Sequence, residues 1–201
     1  MIAILDYGSG NLRSAQRACE VTNHDVIITS DPNTALAADG LVVPGVGSLG
    51  ACMQGLRKIN GDEIIRARID AKKKTFGICV GMQVLFDSSE EIYNDHEPQG
   101  LGICSGKVVK LEAPVIPHIG WNTVTTPESS TLFRGIERER FYFVHSYASL
   151  TATTNFAVTT ARYGVEFIAA IESETVSAVQ FHPEKSGAAG LRLIKNWAAS
   201  L

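Results

Sequence analysis

A cysteine stands between two glycines in Lys74-Thr75-Phe76-Gly77-Ile78-Cys79-Val80-Gly81-Met82-Gln83, and a histidine precedes a glutamate by two positions in Val179-Gln180-Phe181-His182-Pro183-Glu184. Both follow apolar runs that read as strands, so both side chains belong at strand ends. Gly-x-Cys-x-Gly has the spacing of a nucleophile elbow, a strained strand-to-helix turn that tolerates only small neighbours. Such a turn lifts the sulfur to the carboxyl edge of a sheet, where open α/β sheets bind ligands. The N-terminus of the following helix would favour the thiolate, and the Val80 amide would face an oxyanion. His182 is a base for that thiol, Pro183 stiffens the bend, and Glu184 is placed to orient the imidazole, the logic of an activated nucleophile. Each segment alone has a plainer reading, as a buried strand ending in glycines and as an exposed turn. Their combination and order point to nucleophilic catalysis.

The rest of the chain must position these groups. Residues 1–5, 25–29, 40–43 and 75–78 read as strands. Residues 11–21, with Leu12, Ala15, Ala18 and Cys19 on one stripe, read as helix, as do 48–72, interrupted near Asn60-Gly61, and 80–86. Pro44-Gly45-Val46-Gly47 breaks the chain after the third strand. Alternating strands and helices predict an α/β fold with an open, mostly parallel central sheet and helices on both faces. The second half changes character. Short β-like runs at 107–111, 121–125, 140–146, 155–161, 167–171 and 176–181 predict antiparallel additions, and residues 190–199 an amphipathic helix with Leu191, Ile194, Trp197 and Ala198 on one face.

With 201 residues, of which 45% are hydrophobic and 19% charged, the chain suits one compact domain, 1–201, within the usual range of about 100 to 200 residues. A formal net charge of −3 supplies no global field for nucleic acid. No apolar run reaches the ~18 residues of a membrane span, and the first residues lack the features of a secretory signal, so a cytoplasmic protein is expected. Cys19, Cys52 and Cys104 read as small buried hydrophobes. No CxxC pair is present, and neither metal nor cofactor is implied.

Gly77-Ile78-Cys79-Val80-Gly81-Met82-Gln83 together with Gln180-Phe181-His182-Pro183-Glu184 resembles the class I, triad-type glutamine amidotransferases. Within that family, four segments are similar to the glutaminase subunits of imidazole glycerol phosphate synthase, of histidine biosynthesis: residues 6–14 (Asp-Tyr-Gly-Ser-Gly-Asn-Leu-Arg-Ser), Pro44-Gly45-Val46-Gly47, residues 117–122 (Pro-His-Ile-Gly-Trp-Asn) and residues 141–147 (Phe-Tyr-Phe-Val-His-Ser-Tyr). The likeness spans nearly the whole chain. Val80 departs from the usual leucine, and Cys104-Ser105-Gly106 stands where proline often precedes the glycine.

The resemblance implies a flavodoxin-like fold. Cys79 would be the nucleophile, His182 the general base and acid, and Glu184 the orienter. The Val80 amide and a second amide from Gly45, Val46 or Gly47 would hold the oxyanion, and the two glycines would let a peptide plane flip. Gln83 would bind the polar end of glutamine or else face solvent. His145, Ser146 and Tyr147 would line the substrate site, although Ser146 and Tyr147 equally suit the edge of a strand. Ammonia made here would pass to a partner, in that family a cyclase subunit with a (β/α)₈ barrel that forms imidazole glycerol phosphate and aminoimidazole carboxamide ribotide. Asn11, Arg13, His118, Trp121, Asn122 and Lys185 match positions facing that cyclase, Trp121 having a core aromatic as its alternative. His24 and His96 are expected in solvent. An amidotransferase of another pathway and a thiol sensor of the same fold are the competing readings.

Overall fold

The computed structural model describes residues 1–153 and 155–201. In chain order the elements are β1 (Ile2–Leu5), α1 (Leu12–Cys19), β2 (Val26–Thr29), α2 (Pro32–Ala37), β3 (Gly40–Gly45), α3 (Leu49–Lys58), α4 (Gly61–Asp70), β4 (Lys74–Cys79), α5 (Val80–Gln83), β5 (Ser88–Ser89), β6 (Lys107–Lys110), β7 (His118–Thr123), β8 (Arg140–His145), β9 (Tyr147–Ser149), β10 (Ala157–Tyr163), β11 (Val165–Glu172), β12 (Val176–Val179) and α6 (Gly187–Ala198).

A seven-stranded sheet in the order β10-β11-β12-β4-β3-β1-β2 forms the centre. From β12 to β2 every pairing is parallel, while β10, β11 and β12 pair antiparallel. The continuous apolar runs of β1 and β3 are buried at every position, as strands covered on both faces require. Helix α1 packs against α6, and α4 contacts α2 and α3. Helix α6 sits close: Trp197 stacks on Phe76 of β4 at 5.2 Å, and a Cβ on Gly40 would meet the Trp197 ring at 2.7 Å. Two small sheets, β5-β6-β9 and β7-β8, complete the second half.

The expected α/β architecture with antiparallel additions is present, with local differences. β3 continues through Pro44 and Gly45, which lie level with Ile78 and Cys79; proline is tolerated there at the end of the strand. Helix α2 was not expected, although Asp31 caps it and Pro32 takes its first turn, a recognisable start signal. Helix α5 is one turn, not the seven residues expected. The carbonyls of Val84, Leu85 and Phe86 accept instead from the amides of residues 101–104, so the chain turns away. The run expected at 140–146 divides at Ser146 into β8 and β9, and β7 begins at His118, three residues earlier than expected. On α6, Leu193 is buried where Leu191 was expected and Leu191 is only partly covered.

Candidate active site

Strand β4 delivers Cys79 with φ +55° and ψ −113°, a backbone that L residues rarely adopt and that marks stored strain at a functional position. The flanking glycines follow from close backbone approach. A Cβ on Gly81 would lie 1.9 Å from the Val43 carbonyl oxygen, and one on Gly77 would lie 2.5 Å from that of Gly81. Because α5 is a single turn, a helix dipole contributes less to the sulfur than a full helix would.

His182 arrives beside the sulfur because β12 runs parallel to β4, Val179 level with Ile78. Its backbone is clamped: its N–H donates to the Tyr142 carbonyl at 2.9 Å, and the Ser186 hydroxyl donates to its carbonyl at 2.6 Å. Pro183–Lys185 form a 3₁₀ turn. That turn brings Glu184 Oε1 to 2.8 Å from His182 Nδ1, with both side chains almost fully buried. Burial alone would disfavour the imidazolium. Hydrogen bonds to Cys79 and Glu184, and the charge of each, outweigh it and raise His182 from 6.5 to about 9. Both partners therefore favour the imidazolium form of His182.

The sulfur opens into a cavity of about 330 Å³ whose lining includes Val46, Gly47, Val80, Gln83, His145, Ser146, Tyr147, His182 and Lys185. The expected substrate residues thus surround one space. Gln83 is buried, not solvent-facing. Its Nε2 donates to the Tyr147 carbonyl at 2.9 Å and to Gln180 Oε1 at 3.0 Å, which consumes both amide hydrogens. Only its oxygen remains for a ligand, so it can receive an ammonium but cannot donate to a carboxylate. Glu91, which the sequence did not single out, lines the same cavity. Burial raises its carboxyl above the usual range, opposed by a hydrogen bond from the Leu49 amide.

A buried imidazole pair backs the cavity. The Tyr147 carbonyl can only accept, so His145 Nδ1, 3.0 Å away, carries the proton. His145 Nε2 then accepts from His118 Nδ1 at 3.0 Å. His118 was expected at the partner face, but its side chain is not available there. It is 3% exposed, stacked between Tyr163 and Phe143 at 4.0 and 4.9 Å, because the alternation of β7 turns it inward. Burial holds both rings neutral, pushing His118 down to about 4 and His145 to about 3.

The residues expected to hold an oxyanion lie where β3 meets the elbow. Gly45 is level with Cys79, and a Cβ there would lie 2.5 Å from the Gly81 nitrogen. Tyr7 donates its buried hydroxyl to the Pro44 carbonyl. The Val46 amide is engaged elsewhere: it donates to the Ser9 hydroxyl oxygen at 3.2 Å, and that hydroxyl lies 3.1 Å from the Val46 carbonyl. The Cys52 thiol closes the group, 3.4 Å from the same carbonyl. Gly47, at φ +87°, supplies the backbone freedom for this peptide to turn. Ser9 lies in the segment 6–14 that carries the resemblance, but the sequence assigned it no role.

Of the other expected interface residues, Asn11, Arg13 and Lys185 are exposed. Asn11 caps α1 through the Ser14 amide, and Arg13 bonds Gln16. Asn122 is half-buried and donates to the Arg162 carbonyl at 3.0 Å. Trp121 is 47% exposed and Ile119, two positions away on the same face of β7, is 58% exposed; Trp121 is therefore not a core aromatic. His96 is exposed as expected, whereas His24 is half-buried against Thr22.

Comparison with known proteins bears on this geometry. The family model for Glutamine amidotransferase class-I matches residues 3–200. The imidazole glycerol phosphate synthase subunit HisH of Thermobifida fusca is 52% identical over 209 residues, covering 100% of this chain and 98% of that protein. The subunit of the same name from Nocardia farcinica is 51% identical over 208 residues, with the same coverage. Among solved structures, one described as a glutamine amidotransferase superposes with a TM-score of 0.76 at 18% identity, covering 98% of each chain. The structure of PurLQS from Thermotoga maritima reaches 0.71 at 17% identity, covering 97% of this chain and 95% of its own; both share the fold. With a family model matched along almost its entire length over a cysteine elbow, this chain belongs to the class-I glutamine amidotransferases.

Proposed function

We propose that this chain is the glutaminase subunit of an imidazole glycerol phosphate synthase, with residues 1–201 acting as one amidotransferase domain in the cytoplasm. The observation that carries the chemistry is the line Glu184–His182–Cys79, buried at a strained elbow, with Cys79 and His182 lining the cavity of about 330 Å³. The pathway rests on the two relatives at 51 and 52% identity, each named as that synthase's HisH subunit.

In this reading the Cys79 thiolate attacks the side-chain carbonyl carbon of glutamine, forming a C–S bond and an oxyanion. The Val80 amide and an amide of the loop after β3 receive that oxyanion; removing one such donor typically slows the reaction by about 10²–10³-fold. His182 gives its proton to the departing nitrogen, the C–N bond breaks, and ammonia leaves. Neutral His182 then takes a proton from water, whose oxygen attacks the thioester, and the thiolate is expelled with glutamate. Glu184 holds His182 in the tautomer that presents the other nitrogen to sulfur. Gln83 Oε1 and the Glu91 carboxylate receive the α-ammonium of the substrate. The exposed strip of Ile119 and Trp121 on β7, with Asn11, Arg13 and Lys185, supports docking of a (β/α)₈-barrel cyclase that consumes the ammonia. Among the described residues no helix is long and apolar enough to cross a membrane.

Glutamate release from glutamine by the purified chain, with and without the cyclase, tests this. Slow release alone, stimulated release in the complex, and none from Cys79→Ala are expected. A cyclase that neither binds the chain nor stimulates it would refute the pathway, and hydrolysis surviving in Cys79→Ala would refute the mechanism.

A further inference from the structure

Gln180, the first residue beyond β12, has no role in the mechanism above. With Val179 level with Ile78 in the parallel pairing of β12 and β4, the next position of β12 comes level with Cys79. The Gln180 backbone is fixed by a hydrogen bond from its N–H to the Ala169 carbonyl at 2.8 Å, and the residue is 1% exposed. Its Oε1 receives Gln83 Nε2 at 3.0 Å, and its Nε2 lies 3.7 Å from Cys79 Sγ, within reach for a donor to an atom as large as sulfur.

The orientation of this amide follows from its neighbours. The Tyr147 carbonyl can only accept, so the end of Gln83 facing it at 2.9 Å is the NH₂ group. The second hydrogen of that group points to Gln180. Gln180 must therefore turn its oxygen to Gln83 and its NH₂ to the sulfur. One backbone carbonyl, acting through two buried amides, decides that the nucleophile meets a hydrogen-bond donor.

We propose that Gln180 is a catalytic residue of the amidotransferase reaction, donating its amide N–H to Cys79 Sγ and holding the thiolate. The inference rests on the reading of Cys79 as nucleophile. A donor to the charged form favours that form. The same bond serves twice: it steadies the thiolate before attack and again when the thioester expels it. The other titratable groups around the sulfur are His182 and Glu184 beyond β12, Tyr7 beyond β1, Cys52 on α3, and Glu91, His145, Tyr147 and Lys185 around the cavity. All remain in place in the variants that test the idea.

The test is the rate at which iodoacetamide alkylates Cys79 of the full chain, followed by peptide mass spectrometry from about pH 5 to about pH 10, the span of thiol and imidazole titration. Gln180→Met removes the donor. Gln180→Glu keeps the shape and the contact from Gln83 but sets a carboxylate against the sulfur. The alkylation midpoint should rise by about one pH unit in Gln180→Met, making the reaction about tenfold slower on the acid side of the midpoint, and should rise further in Gln180→Glu. An unchanged midpoint in either variant that folds, by circular dichroism, overturns the proposal. The nucleophile reading is tested separately in the unmodified chain with a chloroketone analogue of glutamine. If that reagent fails to label Cys79, or labels it equally in His182→Ala, the nucleophile reading falls, whatever Gln180 does.

Discussion

The Val46 amide nitrogen lies 3.2 Å from the Ser9 hydroxyl oxygen, a bond that ties the loop after β3 to the loop after β1. For that amide to meet an oxyanion on the substrate bound to Cys79, the bond must break. A neutral hydrogen bond is worth about 0.5–1.5 kcal/mol net. Ser9→Ala should therefore raise cyclase-independent glutamine hydrolysis by about two- to tenfold, measured as glutamate release by the isolated chain. An unchanged or lower basal rate would show that Ser9 does not restrain the loop.

Glu184→Gln should lower both the rate and its alkaline limit. His182 is raised to about 9 by its bonds to Cys79 and Glu184, against the opposing effect of burial. In the proposed mechanism it stays protonated, and able to donate to the leaving nitrogen, up to about that pH. The kcat/KM profile should fall through about 9 in the unmodified chain and at lower pH in the variant, with the maximal rate reduced by about 10²-fold or more. The same shift bears on stability. The folded state binds this proton more tightly than the unfolded chain, so its contribution is complete below about 6.5 and disappears as pH rises through about 9.

His118 and His145 act in the opposite sense. Burial depresses them to about 4 and about 3, so the folded state resists protons that the unfolded chain accepts. Their contribution is full above the ordinary imidazole value of 6.5 and is lost as pH falls towards 4 and 3. Each should add a slope of about 1.4 kcal/mol per pH unit to the unfolding free energy in that acid window. His118→Phe preserves the stack on Tyr163 and Phe143 but removes one titrating group. Urea unfolding across the window should then show a slope shallower by about one proton; an identical slope would contradict the assignment.

Arg68 is fully buried on α4, and its guanidinium donates to the carbonyls of Ala35, Leu36, Ala38, Asp39 and Lys74. It satisfies the end of α2 and joins it to the starts of β3 and β4. Arg68→Met removes the guanidinium from all five carbonyls, of which Leu36 keeps the Lys73 ammonium as a donor, and should destabilise the fold by roughly 3–5 kcal/mol. Arg68→Lys should cost less but still show a lower melting temperature, because a point charge cannot replace the planar fork. A melting temperature unchanged in Arg68→Met would show that water reaches this site and replaces the guanidinium.

The elbow was legible because its constraint is local. Gly77 and Gly81 have backbone pressed against them where any Cβ would collide, and a spacing of two on either side of Cys79 records that directly. His182 and Glu184 were legible for the same reason, since two residues and a proline suffice to aim a carboxylate at an imidazole. Strand β3 and helix α5 were misjudged at their ends. There the outcome belongs to partners distant in sequence: Cys79 opposite Gly45 in one case, and the amides of residues 101–104 capturing three carbonyls in the other.

By itself the chain determined its alternation of strands and helices, its cysteine elbow and its histidine–glutamate pair, because periodicity and steric exclusion act over a few residues. Only the tertiary structure decided that His118 faces inward, that Ser9 holds the Val46 amide, and that Gln180 meets the sulfur. Each depends on which segments become neighbours across a sheet, and on the rule that a buried donor or acceptor must find its partner wherever the fold supplies one.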